Sequence, residues 1–180
     1  IRHVNQFPST KNKFVYRNLQ QYAVAAQPKR KHTPFRIVYA GLLGVAQDIY
    51  SIIENIPFQS IGAEFHLYGG GNQAEKIKEY INKHPGCFVY YHGYVKKEQI
   101  AEELSRYDAS IVPLTVAIKG AVPSKIYDLI PIGIPILFCG GGEGAEIVSK
   151  YYFGMVSKPH DFKQLHNNII ELINLPDEEY

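Results

Sequence analysis

From Phe35 to Leu175 short apolar runs alternate with amphipathic segments, and this alternation constrains the fold more than any other feature of the chain. The runs are "FRIVYAG", "GAEFHLYGGG", "CFVYYHG", "ASIVPL", "PILFCGGG" and "GMVSK". Between and after them come "VAQDIYSIIENI", "NQAEKIKEYINKH", "KKEQIAEELSRY", "PSKIYDLI", "EGAEIVSKYY" and "DFKQLHNNIIELINL", in which apolar residues recur at helical spacing. A strand followed by a helix and a further strand pairs in parallel, because each right-handed crossover lays its helix on a face of the sheet. The strands lack strict polar alternation, as expected when both faces are covered. The expected fold is therefore α/β, a Rossmann-like doubly wound parallel sheet of about six strands with helices on both faces, in strand order 3-2-1-4-5-6.

The 180 residues suit one such domain with an extension. The division expected is a basic linker or N-terminal extension over residues 1–34 and a Rossmann-like domain over 35–180, to which the resemblance drawn below assigns nucleotide-sugar binding. Residues 1–35 contain Arg2, Lys11, Lys13, Arg17, Lys29, Arg30 and Lys31 and no acidic residue, so the remainder is net acidic although the whole chain is +2. Such a segment can meet nucleic acid, anionic lipid or an acidic partner. The prolines bounding "QPKRKHTP" and its lack of periodicity favour a solvated linker, with no nucleic-acid partner. Within it, "KFVYRNLQQYAVAA" could hold a strand and a helix. No run approaches the ~20 apolar residues of a membrane span, and the start at Ile1, without an apolar h-region, reads as a cut from something longer. Cys87 and Cys139 fall in expected strands and read as small core residues in a reducing compartment, the cytoplasm.

In a doubly wound sheet, ligands bind beyond the carboxyl ends of the strands, near the point where strand order reverses. Glycines gather there: Gly41 and Gly44 after the first strand, Gly69, Gly70 and Gly71 after the second, Gly93 after the third, and Gly140, Gly141 and Gly142 after the fifth. Turn geometry alone can produce such loops, but they also admit a phosphate close to backbone N–H groups. A nicotinamide dinucleotide is disfavoured. The first loop, "AGLLGVAQD", is only G-x-x-G, and "LYGGG" offers no carboxylate at the end of the second strand.

Ser124, Lys125 and Asp128 open the helix behind Pro123, with Lys125 and Asp128 three apart on one face. An ammonium beside uncapped helical N–H groups suits a diphosphate, and a carboxylate one turn on suits a ribose diol. The competing reading is a local Lys–Asp surface pair with Ser124 as the cap. His66 and His92 line or end strands and read as core or rim residues. No histidine has ligand spacing and no Asp-x-Asp occurs, so neither metal nor cofactor is expected.

Over residues 35–175 the chain resembles the C-terminal, donor-binding half of GT-B glycosyltransferases, in the large retaining group that uses sugar nucleotides. The likeness rests on "YAGLLGVAQD", "LYGGGN", "YYHGYVKKEQIAEELSRYDASIVPL" and "PSKIYDLIPIGIPIL", in that order. It is nearest the subgroup carrying "YAG-x-x-G-x-A-Q" and "P-S-K-x-Y-E", often found in capsule and O-antigen synthesis. The resemblance implies half of a GT-B fold, with a nucleoside-diphosphate sugar as substrate, UDP ahead of GDP. It further implies transfer to a hydroxyl in bacterial polysaccharide or glycolipid synthesis, an acceptor domain elsewhere, and a cytoplasmic location with peripheral contact at the inner membrane face.

By the same resemblance Asp128 stands where the family binds the donor ribose, and Gly41 and Gly44 lie in the loop nearest the donor phosphates. Tyr94 and Val95 belong to the segment framing the base, Pro113 ends the fourth strand, and Gly141, Gly142 and Glu143 follow the fifth. Three departures stand out. Leu42 and Gln47 occupy the places of the family's first-loop Arg and Lys, Gly120 that of its first motif glutamate, and Asp128 that of the second. Lys125 is the candidate to supply the missing phosphate cation. Two other readings are a UDP-sugar 2-epimerase on the same sheet and a non-catalytic interaction domain that has lost the phosphate residues.

Overall fold

The computed structural model describes residues 31–116, 122–177 and 180. The strand and helix suggested within residues 13–26 lie outside the described residues. Six strands, β1 (Phe35–Ala40), β2 (Ala63–Tyr68), β3 (Val89–Gly93), β4 (Ala109–Pro113), β5 (Ile136–Cys139) and β6 (Gly154–Ser157), form one sheet in the order β3-β2-β1-β4-β5-β6. Every pairing is parallel, and β1 runs against β2 in unbroken register from Phe35↔Ala63 to Ala40↔Tyr68. The order reverses between β1 and β4, as the alternation requires.

Two cores follow from the period of two along each strand. Phe35, Ile37 and Tyr39 of β1 point to one face, where α1 (Ile49–Asn55), α2 (Ala74–Lys83) and α6 (Phe162–Asn174) cover them with Ile52, Ile77 and Ile169. Val38 points to the other face, against α3 (Ile100–Leu104), α4 (Ser124–Leu129) and α5 (Gly142–Lys150), which bring Leu104, Ile126 and Val148. In α6, Leu165, Ile169 and Leu172 form the buried stripe, and the Asp161 carboxylate caps the helix by accepting from the Gln164 amide at 2.9 Å. No helix among the described residues is long and apolar enough to cross a membrane.

Several elements are shorter than their sequence pattern. The first helix begins at Ile49 rather than Val45, because the Gln47 and Asp48 amides close a turn on the Gly44 carbonyl and Asp48 adopts a left-handed conformation, φ 42°. The third strand starts at Val89, so Cys87 precedes the strand; it is half-buried and free, whereas Cys139 is a buried core thiol. Residues 97–99 form a 3-10 turn ahead of the short α3. The helix after Pro123 gives way at Ile130–Ile132 to a 3-10 turn, where Pro131 has no N–H to continue it.

The folded unit reaches back at least to Lys31, whose ammonium donates to the Ile173 carbonyl at 2.9 Å and to Leu175, beyond the end of α6. His32 follows it onto Asp108, a residue only 1% exposed. The Asp108 carboxylate accepts from the Arg36 amide at 2.7 Å, from the His32 amide and from the His32 ring at 2.9 Å. It thereby pins the start of β1 to the start of β4. Asp108→Ala leaves these buried donors unmet and is expected to cost about 2–3 kcal/mol in a denaturant titration, with Asp108→Asn recovering part of it.

Candidate functional site

The first and second glycine loops are stitched together at the tips of β1 and β2. The Gly41 amide donates to Tyr68 O at 2.9 Å, the Leu43 amide to Gly70 O at 2.9 Å, and the Gln73 amide to Leu43 O at 3.0 Å. The backbones come so close that a Cβ on Gly69 would lie 1.9 Å from Gly41 O, and one on Gly71 2.4 Å from Leu43 O. This gives Gly71 a packing role where the sequence suggested approach to a ligand. The Gly41 amide, expected to face a phosphate, is spent inside the fold. Gly70 likewise makes room for a neighbour: a Cβ there would strike the Tyr94 hydroxyl at 2.1 Å. Tyr94, 83% exposed, thus leans from the tip of β3 across the second loop, while Val95 packs half-buried into the α3–α5 core.

Gly41 admits Lys125. A Cβ at Gly41 would meet Lys125 Cε at 2.4 Å and Nζ at 2.5 Å, so the lysine stem crosses from α4 over the switch between β4 and β1 and lies on the first loop. Its Nζ is 5.7 Å from the centre of the Tyr39 ring, and the Tyr39 hydroxyl donates to Leu42 O at 2.6 Å, bracing that loop from below. Among the described residues no carboxylate lies within ion-pairing distance of Lys125. Burial pulls its pKa down, with Asp128 opposing. Burial also pushes Asp128 up, opposed by Lys125 and Lys97. Each charge is thus partly desolvated and only loosely compensated by the other, which is the state an incoming anion and a diol would relieve.

The surface-pair alternative does not describe this geometry, since Lys125 turns to the glycine loop instead of closing on Asp128. Nor does Ser124 cap the helix. The N-cap is Pro123 without a side-chain bond, and Ser124 is exposed. With six residues α4 is short, so the ammonium, more than the helix terminus, supplies positive potential. Pro113 ends β4 in the interior, and Gly44 is buried beside the Gln47 side chain. Gly141 and Gly142 open α5 beyond β5, with open space where a Cβ would stand, and Glu143 sits in its first turn. Gly120 lies outside the described residues. Among those described, no group of three or more His, Cys, Asp or Glu is placed to hold a metal ion.

A narrow cleft of about 20 Å³ opens at the neighbouring tips of β4, β5 and β6, between α1 and α6. Gln47, Asp48, Pro113, Thr115, Ser157 and His160 line it; Lys125 and Asp128 do not. Among the described residues, the buried Gln47 Oε1 and Ser157 Oγ atoms have no hydrogen-bond partner. Asp48 and His160, both left-handed, face each other across it at 3.7 Å. Sequence reasoning singled out Gln47, in place of a lysine, and Pro113, at the end of the fourth strand, but missed the rest of this group, because the loop after β6 carries no motif that brings it to α1.

The doubly wound parallel sheet places the domain in the Rossmann-like α/β class, and a half-buried cation lies over a glycine loop at its switch point. The sequence profile of glycosyl transferases group 1 matches residues 34–175, and the chain belongs to that family. Among solved structures, S. aureus TarM in complex with fondaparinux, α-GlcNAc-glycerol and UDP superposes with TM-score 0.70 at 21% identity, covering 96% of this chain and 34% of that one. The lipopolysaccharide outer core galactosyltransferase WaaB gives TM-score 0.69 at 16% identity, over 93% and 47%. Anabaena HepE in complex with UDP-glucose gives 0.64 at 17%, over 78% and 39%. The domain has their fold, the Rossmann-like half of GT-B, and the chain spans about a third to a half of their length. No curated protein matches the sequence.

Proposed function

We propose that this domain binds the sugar-nucleotide donor of a glycosyltransferase, with UDP favoured over GDP, and that a further domain supplies the acceptor hydroxyl. The observation that carries the reading is the Lys125 ammonium lying over Gly41 at the β1–β4 switch, partly desolvated and without an ion pair among the described residues. A diphosphate leaving the anomeric carbon gathers negative charge, and a fixed cation near its oxygens lowers that barrier. Asp128, one turn on, accepts from the ribose hydroxyls, and Tyr94 above Gly70 offers its exposed ring to the base. Lys125 thus replaces, from the opposite side of the crevice, the cations that Leu42 and Gln47 do not provide.

The UDP and UDP-glucose named in the TarM and HepE structures support uridine as the base. The acid-free first 35 residues would hold the enzyme against anionic lipid bearing a polysaccharide or glycolipid acceptor. Titration calorimetry with UDP, GDP and their sugars tests the reading. UDP and a UDP-sugar should bind and GDP should bind more weakly. Silence for every nucleotide would leave the non-catalytic interaction domain as the better description.

A further inference from the structure

Away from the crevice, on the α3 side of β2 and β3, two imidazoles form a pair that the proposed chemistry does not use. His66 Nδ1 lies 2.9 Å from His92 Nε2, and the rings are parallel within 3°, 5.2 Å between centres. His66 Nε2 lies 3.2 Å from the Glu64 carboxylate, which also meets Arg36 at 3.4 Å. An ionised carboxylate only accepts, so His66 Nε2 carries a proton, His66 Nδ1 is bare, and His92 Nε2–H is the donor. The relay runs His92 to His66 to Glu64. His66 also stacks on Tyr90 and tilts against Tyr107, and His92 stacks on Tyr68 with 4.7 Å between ring centres. The Tyr68 hydroxyl donates to Glu103 at 2.6 Å and meets the Tyr107 hydroxyl at 2.8 Å, while Arg106 pairs with Glu103.

The groups facing the pair are therefore Arg36 from β1, Glu64 and Tyr68 from β2, Tyr90 from β3, Glu103 from α3, and Arg106 and Tyr107 beyond it. The first proton taken up goes to the bare, outer Nδ1 of His92 and leaves the relay bonded. A second must go to His66 Nδ1, which places N–H against N–H and sets two cations side by side near Arg36. Burial holds both imidazoles below their usual pKa, with their mutual charge adding to the effect at His66 and Glu64 and Glu103 opposing.

What the pair holds is the end of β3. His92 is followed by Gly93, whose carbonyl accepts from the Gly69 amide at 2.6 Å, and by Tyr94, whose hydroxyl rests on Gly70. We infer that Glu64, His66 and His92 form a proton-sensitive latch that keeps the Gly93–Val95 segment on the second glycine loop and opens when both imidazoles are charged. This rests on the reading that Tyr94 borders the donor base, and makes donor binding weaken in acid.

The test follows UDP affinity of the full chain by calorimetry from about pH 8 to about pH 5, together with amide shifts of Gly93 and Tyr94 by NMR. Wild type should lose about tenfold or more in affinity toward the acid end, with both amides moving together. His92→Phe keeps a ring on Tyr68 but takes no proton, and should flatten both dependences. Parallel losses in wild type and variant would overturn the latch. If His92→Phe fails to fold, Glu64→Gln should move the transition to lower pH, since it removes the charge favouring the His66 imidazolium; an unmoved transition overturns the proposal. If UDP binds at no pH, the donor reading fails, and the amide shifts alone decide the latch: a two-proton transition in wild type that the variant lacks supports it, and its absence sinks it.

Discussion

Lys125→Ala is expected to weaken UDP binding by roughly ten- to a hundredfold and to leave uridine within about twofold, because a hydrogen bond to a charged group contributes about 1.5–3 kcal/mol. The discrimination follows from position: Lys125 lies over the first glycine loop, where the proposed function puts the diphosphate, and that proposal gives the nucleoside to Asp128. Lys125→Met gives a second comparison, keeping an apolar stem over Gly41 while removing the charge. It should match the alanine variant in UDP affinity and wild type in melting temperature. Equal losses for UDP and uridine would mean that the lysine shapes the site without meeting the phosphates.

Gly69→Ala should be the most damaging single substitution at the strand tips. A Cβ there lies 1.9 Å from Gly41 O, and the residue holds φ at +119°. Neither obstacle can relax cheaply, because the contact is backbone against backbone and the flanking amides are bonded across the two loops. Overpacking and a disfavoured conformation each cost about 1–3 kcal/mol, so a loss of roughly 3 kcal/mol or more is expected. At this chain length that lowers the melting temperature by roughly 6–12 °C. Gly62→Ala is the control: φ is +69° but nothing lies within 4 Å. Its cost should be conformational alone, about 1–2 kcal/mol. Similar losses at both positions would show that the loop contact is soft.

Strand order was legible because right-handed crossovers leave few ways to lay six parallel strands under alternating helices. The limits of the elements were not, since they are set by bonds between distant segments. Nothing local to "VAQD" shows that Gln47 and Asp48 close a turn on Gly44, and nothing in "CFVYY" says that β2 takes up β3 only from Val89 onward. Spacing placed Lys125 and Asp128 on one face of a helix. The direction of the lysine stem depends on the missing side chain of Gly41, some eighty residues away. The glycines of the second loop suggested a cradle for phosphate, and the fold uses Gly69 and Gly71 to bring two backbones together. His66 and His92 read as core or rim residues of their strands, and only the register of β2 against β3 brings their rings into a bonded pair. The cleft above β4, β5 and β6 stayed hidden because its walls come from segments without a shared motif.

The most direct test of the account is to map backbone amide shifts as UDP is added to the full chain. Shifts at Gly41, Leu42, Lys125 and Asp128, with Tyr94 responding to the base, are the predicted result. Shifts confined to the cleft around Thr115, Ser157 and His160, with Lys125 and Gly41 unmoved, would contradict it.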